Sequence, residues 1–191
     1  MSGTDSATAV RTLVVDDEQE VADAYALRLR DHCDIETAYS GEAALSKLDG
    51  SVDVVLLDRR MPDLLGEDVL ETIRDRGLDC RVAMVTAVDP DVDIIDMEFD
   101  DYVVKPVTRE EVLETIERLL RVAEYERVLR EYYRVTRKYA ALSAADSVEV
   151  SGDPDFEELC DRRDRLEEKL ETTAERFADA DFERLFCDFE T

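Results

Sequence analysis

The first 120 residues of the chain alternate two hydrophobic rhythms. Short, largely apolar runs rich in β-branched residues occupy Thr12–Val15, Ile35–Ala38, Val54–Leu57, Val82–Val85 and Tyr102–Val104. Between them, apolar residues recur at three- and four-residue spacing in Glu20–Arg30, Gly41–Leu48, Leu65–Arg76 and Arg109–Arg121, and weakly in Val92–Met97. Strands apolar on both faces and separated by helices predict a parallel sheet covered on two sides. Five such units predict an α/β fold, a doubly wound five-stranded parallel sheet whose ligand crevice lies beyond the carboxyl ends of the strands.

No proline or glycine interrupts the chain from Arg109 to Ala145, so the last helix of this pattern is predicted to run on past it. Val122, Tyr125, Leu129, Tyr132, Thr136 and Tyr139 form a seam for another helix. The stretch Ser143–Asp155 is polar and small. In it Gly152-Asp153-Pro154 supplies a breaker, with Asp153 as N-cap and Pro154 as the first helical residue. A second helical pattern follows through Phe156, Leu159, Arg163, Leu166, Leu170, Thr173, Phe177 and Ala180. Two helices so joined predict an all-α antiparallel hairpin or a dimeric bundle. A single thin hairpin hides little apolar surface, which favours self-association. The expected division is residues 10–121 and residues 122–191.

Charge changes the picture of the surface. Fifty acidic against 24 basic residues leave a net charge of -26, which repels phosphate and argues against passive attraction to nucleic acid or anionic lipid. With 45% hydrophobic residues and regular periodicity, the chain is not a disordered acidic tail. Its only lysines are Lys47, Lys105, Lys138 and Lys169. Acidic, lysine-poor folded chains resemble proteins of salt-loving archaea, where concentrated salt screens self-repulsion. Cys33, Cys80, Cys160 and Cys187 lie far apart, as small hydrophobes or free thiols, and His32 reads as a helix-end residue. No long uncharged apolar run or signal-peptide pattern occurs, so a cytoplasmic protein is expected.

The chemistry collects where the strands end. The first strand runs into Asp16-Asp17-Glu18, the third into Asp58, the fourth into Thr86-Ala87 and the fifth into Lys105-Pro106. Right-handed crossovers bring these ends to one edge. Carboxylates crowded there take up protons unless a cation neutralises them, and a hard divalent ion such as Mg2+ suits oxygen ligands. With that charge offset, Asp58 can attack phosphorus to give an acyl phosphate. Lys105 would balance charge on the phosphoryl oxygens and Thr86 would donate a hydrogen bond to one of them.

This set, Asp16-Asp17, Asp58 with Met61-Pro62, Thr86-Ala87 and Lys105-Pro106, resembles the receiver domain of two-component response regulators over about residues 10–121. The resemblance implies the flavodoxin-like (βα)5 fold and a sensor histidine kinase as phosphoryl donor to Asp58. It implies Mg2+ ligated by Asp17, Asp58 and the backbone carbonyl of Arg60, with Asp16 acting through water. It also implies a cis Lys105-Pro106 peptide and a switch role for Tyr102 alongside Thr86. In the family, the positions of Arg60 and Val88 tune how long the phosphoryl group survives. The expected catalysis is the protein's own phosphotransfer and slow dephosphorylation, so a turnover enzyme is not expected. A phosphohydrolase of aspartyl-phosphate type would want a second aspartate two residues after the nucleophile, where this chain has Arg60.

The C-terminal third resembles, through its helical and acidic pattern, the HalX domain that follows receivers in haloarchaeal regulators. That family has no assigned activity of its own, and the helical seams are what lead to an expected output through a protein partner or a homodimer with a second copy of the chain. Arg127, Arg130, Arg134, Arg137 and Lys138, interleaved with Tyr132, Tyr133 and Tyr139, leave DNA contact as the alternative. The plainer reading of that stretch is a solvated face paired with Glu157, Glu158, Asp161, Glu167 and Glu168. No helix-turn-helix spacing or zinc motif accompanies it.

Overall fold

The computed structural model describes residues 10–144 and 153–177. The sequence-based expectations for Gly152, Ala180, Cys187, most of the polar connection before Asp153 and the extreme N-terminus lie outside these. The chain divides into two compact units, Met1–Leu120 and Arg121–Thr191.

In the first unit, β1 (Arg11–Val15), β2 (Asp34–Ala38), β3 (Val54–Leu57), β4 (Arg81–Thr86) and β5 (Asp101–Val104) form one sheet in the order β2-β1-β3-β4-β5. Every pairing is parallel. The α-helices are α1 (Gln19–Leu29), α2 (Gly41–Lys47), α3 (Gly66–Asp75) and α4 (Arg109–Ser143), the last continuing into the second unit. Alternate residues of each strand enter opposite cores, because the side-chain period of a strand is two. Leu13, Val15, Val55, Leu57, Val82 and Met84 meet Ala44, Leu48, Val69 and Ile73 of α2 and α3 or of the chain just after α2. Val14, Val54, Leu56, Ala83 and Val85 meet Ala22 and Leu29 of α1 with Val112, Ile116 and Leu119 of α4. Fully burying each such aliphatic side chain contributes roughly 1.5–3 kcal/mol, which is what holds helices with ordinary propensities on the sheet.

The fourth crossover departs from expectation. Where the pattern Val92–Met97 predicts a helix, there is a single 3-10 turn, Val92–Ile94, capped by the Asp91 carboxylate accepting from the Val92 N–H. Val92 and Ile95 are each 76% exposed, so no apolar face binds a longer helix to the sheet. Four aspartates among residues 89–96 favour turns over helix as well.

In the second unit, α4 packs on α5 (Pro154–Ala174), and Asp153 caps α5 by accepting from the Asp155 N–H. The pairing is antiparallel: Tyr125 meets Phe177, Glu131 meets Arg162, and Tyr139 stacks on Phe156 at 5.7 Å. The predicted seam is partly displaced. Its centre is Val128 and Val135, against Leu166, with Tyr132, Leu159 and Leu170 around them. The expected pairing of the basic stretch with acidic residues of α5 is also corrected. The described ion pairs run the other way, from Glu131 of α4 to Arg162 of α5 and from Glu124 of α4 to Lys169 of α5 and to Arg176 just past its end. Cys33 and Cys80 are buried and Cys160 half-buried, all as free thiols. His32 lies just past the end of α1, its ring 3.2 Å from the Arg109 guanidinium. No helix among the described residues is long and apolar enough to cross a membrane.

Candidate functional site

The chain leaves β1 for β2 on one side and returns for β3 on the other, so the sheet has its switch point between β1 and β3. The crevice of an open α/β sheet lies there. Asp16 and Asp58 are the residues that step off β1 and β3 at this point. Both are buried, at 3% and 7% exposure. The Asp58 N–H donates to the Val15 carbonyl at 2.9 Å, holding the two strand ends in register.

One ammonium joins the two carboxylates. Lys105 Nζ donates to Asp16 Oδ2 at 2.6 Å and to Asp58 Oδ1 at 3.0 Å. The other oxygens accept from backbone: Asp16 Oδ1 from the Glu18 N–H at 3.0 Å and Asp58 Oδ2 from the Arg60 N–H at 2.9 Å. Burial by itself lowers the Lys105 pKa, but the hydrogen bonds and charges of Asp16 and Asp58 outweigh it and hold the ammonium above its ordinary range. The Lys105 N–H donates to the Thr86 carbonyl at 2.8 Å, which fixes the end of β5 beside β4, and the peptide to Pro106 is cis. Thr86, ending β4, is 1% exposed, and its Oγ1 accepts from the Val88 N–H at 3.4 Å.

Asp17 behaves differently from its neighbour. It is exposed at the rim, and among the described residues no three acidic, histidine or cysteine side chains form a metal-binding cluster. The charge balance nevertheless suits a cation. Two buried carboxylates share one ammonium, which leaves one negative charge in excess, and exposed Asp17 adds another. The Arg60 side chain is exposed beside them. Tyr102 reaches from β5 to the β4–β5 connection, where its hydroxyl donates to the Val88 carbonyl at 2.8 Å. Tyr25 of α1 lines the small cavity beneath Asp16 and Asp58, and burial pushes its phenol pKa up.

Two residues essential to this geometry are missed by sequence reasoning. Gly66 begins α3 directly against the loop that follows β3: a β-carbon there would lie 2.3 Å from the Asp58 carbonyl oxygen and 2.9 Å from Arg59 Cα. Its N–H donates to the Arg59 carbonyl at 2.8 Å. The signal for it was a glycine eight residues after a strand-end aspartate, which is too generic to read alone. Arg59 is the other. Although arginines are seldom buried, it is 6% exposed and pairs with Asp93 at 2.5 Å and Glu67 at 3.4 Å. Nothing local in the sequence marks it.

Comparison with known proteins agrees with this geometry. Residues 12–117 match the family described as the response regulator receiver domain, and residues 121–186 match the HalX domain. A protein of Haloferax volcanii named putative transcriptional regulator is 53% identical over 156 residues, which cover 81% of this chain and 26% of that protein. The chain spans about half the length of other curated relatives it matches. A CheY-like receiver domain protein of Methanospirillum hungatei is similar in structure, with TM-score 0.58 and 26% identity over 62% of this chain and 99% of that one. The response regulator TrrA of Thermotoga maritima, solved in complex with Mg(2+)-BeF, has TM-score 0.51 and 33% identity over 58% of this chain and 98% of its own. With its strand-end carboxylates, hydroxyl and lysine gathered at one switch point, the chain belongs to the response regulator receiver family and carries a HalX domain behind the receiver.

Proposed function

We propose that residues 10–121 are the receiver of a cytoplasmic two-component regulator and that Asp58 accepts a phosphoryl group from a sensor histidine kinase. One observation carries the reading: Lys105 draws Asp16 and Asp58 together at the switch point, with Thr86 at the end of the adjoining strand β4. In the transfer, a carboxylate oxygen of Asp58 bonds to phosphorus as the donor's bond from phosphorus to imidazole nitrogen breaks. Lys105 stays protonated throughout and faces the charge on the phosphoryl oxygens, while the Thr86 hydroxyl turns to donate to one of them. Mg2+ would be held by Asp17, Asp58 and the Arg60 carbonyl, with Asp16 acting through water, and would neutralise charge between acceptor and phosphoryl group. The protein is modified once and slowly reverts, instead of turning over a diffusible substrate. Tyr102 and Thr86 form the switch that reports the modification.

Residues 122–191 are the helical output in this reading. Among the described residues of this segment the buried apolar side chains are few, centred on Val128, Val135 and Leu166, while Tyr133 and Leu142 stay 59% and 40% exposed. This supports a homodimer, or a protein partner, completing the core. One observation favours the alternative of DNA contact. Arg127, Arg130, Arg134, Arg137 and Lys138 are all exposed, and no described ion pair joins them to a carboxylate of α5. A gel-shift assay in molar potassium chloride separates the two outputs, and phosphorylation-dependent retardation of a DNA fragment would select the second.

The receiver assignment is tested by mass. A small phosphodonor with Mg2+ should add one phosphoryl group, and Asp58→Asn should remove the addition. Labelling that persists in Asp58→Asn would place the acceptor elsewhere.

A further inference from the structure

The segment between β4 and β5 has little to hold it. Its single 3-10 turn buries no residue, and Val92 and Ile95 are both 76% exposed. Only its far end is anchored in the core, through Met97 and Phe99. Segments with so few buried apolar contacts open readily. At the end facing the phosphoacceptor loop, the tether is a side chain from the loop itself. Arg59 Nη2 donates to Asp93 Oδ2 at 2.5 Å and Nη1 to Oδ1 at 3.4 Å, a two-point contact suited to a planar guanidinium. Glu67, in the first turn of α3, takes a second bond from Nη2 at 3.4 Å. The Asp93 hydrogen bond holds the Arg59 guanidinium above its ordinary pKa against the effect of burial, with the Tyr102 hydroxyl contributing in the same direction. The same contact holds the Asp93 carboxyl below its ordinary range.

We infer that Arg59 is a positioning residue that clamps the Val88–Met97 segment in its resting arrangement, and that phosphorylation of Asp58 works against this clamp. The inference rests on the receiver reading and adds to it the element that sets the resting equilibrium. The connection is physical at each link. The Val88 N–H donates to Thr86 Oγ1, the Val88 carbonyl accepts from Tyr102, and Tyr102 adjoins the Arg59 guanidinium that grips Asp93. A Thr86 hydroxyl that turns toward a phosphoryl oxygen gives up the Val88 N–H, and the carbonyl anchoring Tyr102 moves with it. An interaction made in only one of two states biases the protein toward that state, so breaking it favours the other.

The test uses the full chain in molar potassium chloride, with beryllofluoride and Mg2+ as the probe. Asp93 is half-exposed, so Asp93→Asn breaks the clamp without unfolding the receiver; Arg59→Gln and Arg59→Lys accompany it. In the wild type, hydrogen exchange across residues 88–97 should quicken when beryllofluoride is added. In Asp93→Asn it should already be fast without the probe, and the apparent affinity for beryllofluoride should rise by about three- to ten-fold. Arg59→Gln should behave alike, and Arg59→Lys, which keeps the charge, should fall between. Unaltered exchange and affinity in Asp93→Asn would overturn the clamp while leaving the receiver reading intact. A wild type that binds no beryllofluoride would overturn both.

Discussion

Lys105 Nζ lies 2.6 Å from Asp16 Oδ2, a contact between residues 89 positions apart that closes the site across the sheet. The same ammonium is the only side-chain cation bonded to either buried carboxylate among the described residues. Removing it strands two buried charges. Lys105→Ala should therefore destabilise the receiver by about 3–5 kcal/mol in denaturant titrations at high salt. It should also uncouple modification from shape change, so that scattering profiles with and without phosphodonor coincide.

The same pair predicts a pH dependence with a definite sign. The folded Lys105 pKa is raised above its unfolded value by Asp16 and Asp58 against the opposing effect of burial. The stabilisation is therefore complete below about pH 10.4, the ordinary lysine value, and is lost as pH rises through the folded pKa. Melting temperatures of wild type and Lys105→Ala should converge as the solution is made alkaline past that point. A gap that stays constant to pH 12 would remove the ion pair from the explanation.

Asp17 should matter to the metal and not to the fold. It is exposed, so Asp17→Asn should leave the melting temperature within the scatter of the wild type. Losing one anionic oxygen ligand should weaken Mg2+ binding by roughly tenfold or more, as measured by titration calorimetry.

Gly66 is a steric requirement. The β-carbon of Gly66→Ala would press on the backbone of Asp58 and Arg59, neither of which is a flexible side-chain end. We expect a loss of about 1–3 kcal/mol in stability. We also expect slower phosphorylation by small donors, because the acceptor is displaced. Serine at the same position should be no milder.

Leu166→Ala removes the α5 side chain that meets Val128 and Val135. It should cost about 2–4 kcal/mol in the stability of the second unit, seen as a lowered helical transition by circular dichroism. Phosphorylation at Asp58 should proceed unchanged in this variant, since the residue belongs to the other unit.

Much of the receiver is legible without coordinates because its signals are local. Val54–Leu57 reads as a strand buried on both faces, and it is one. The strand ends Asp16, Asp58, Thr86 and Lys105 are named by where the apolar runs stop, and parallel topology then forces them to one edge. The fourth crossover is not legible in this way, because Val92, Ile95 and Met97 look like a helical face in one dimension. Only the sheet decides whether such a face is covered, and Val92 and Ile95 are not. The α4 seam differs from its periodicity for a similar reason: tyrosines and valines are interchangeable in a periodicity, and Val128 and Val135 take the centre because they pack against Leu166.

The order of strands and helices and the identity of the groups at the strand ends are written in the chain itself, since these follow from short-range periodicity and chain direction. Which of those groups touch is settled by the packed fold. Lys105 bonds to Asp16 and Asp58 but not to exposed Asp17. Arg59 is buried against Asp93, 34 positions away, and Gly66 must be bare because a backbone runs across it. Such pairings depend on distances between segments remote in the chain, and those distances are set by how the two cores fill.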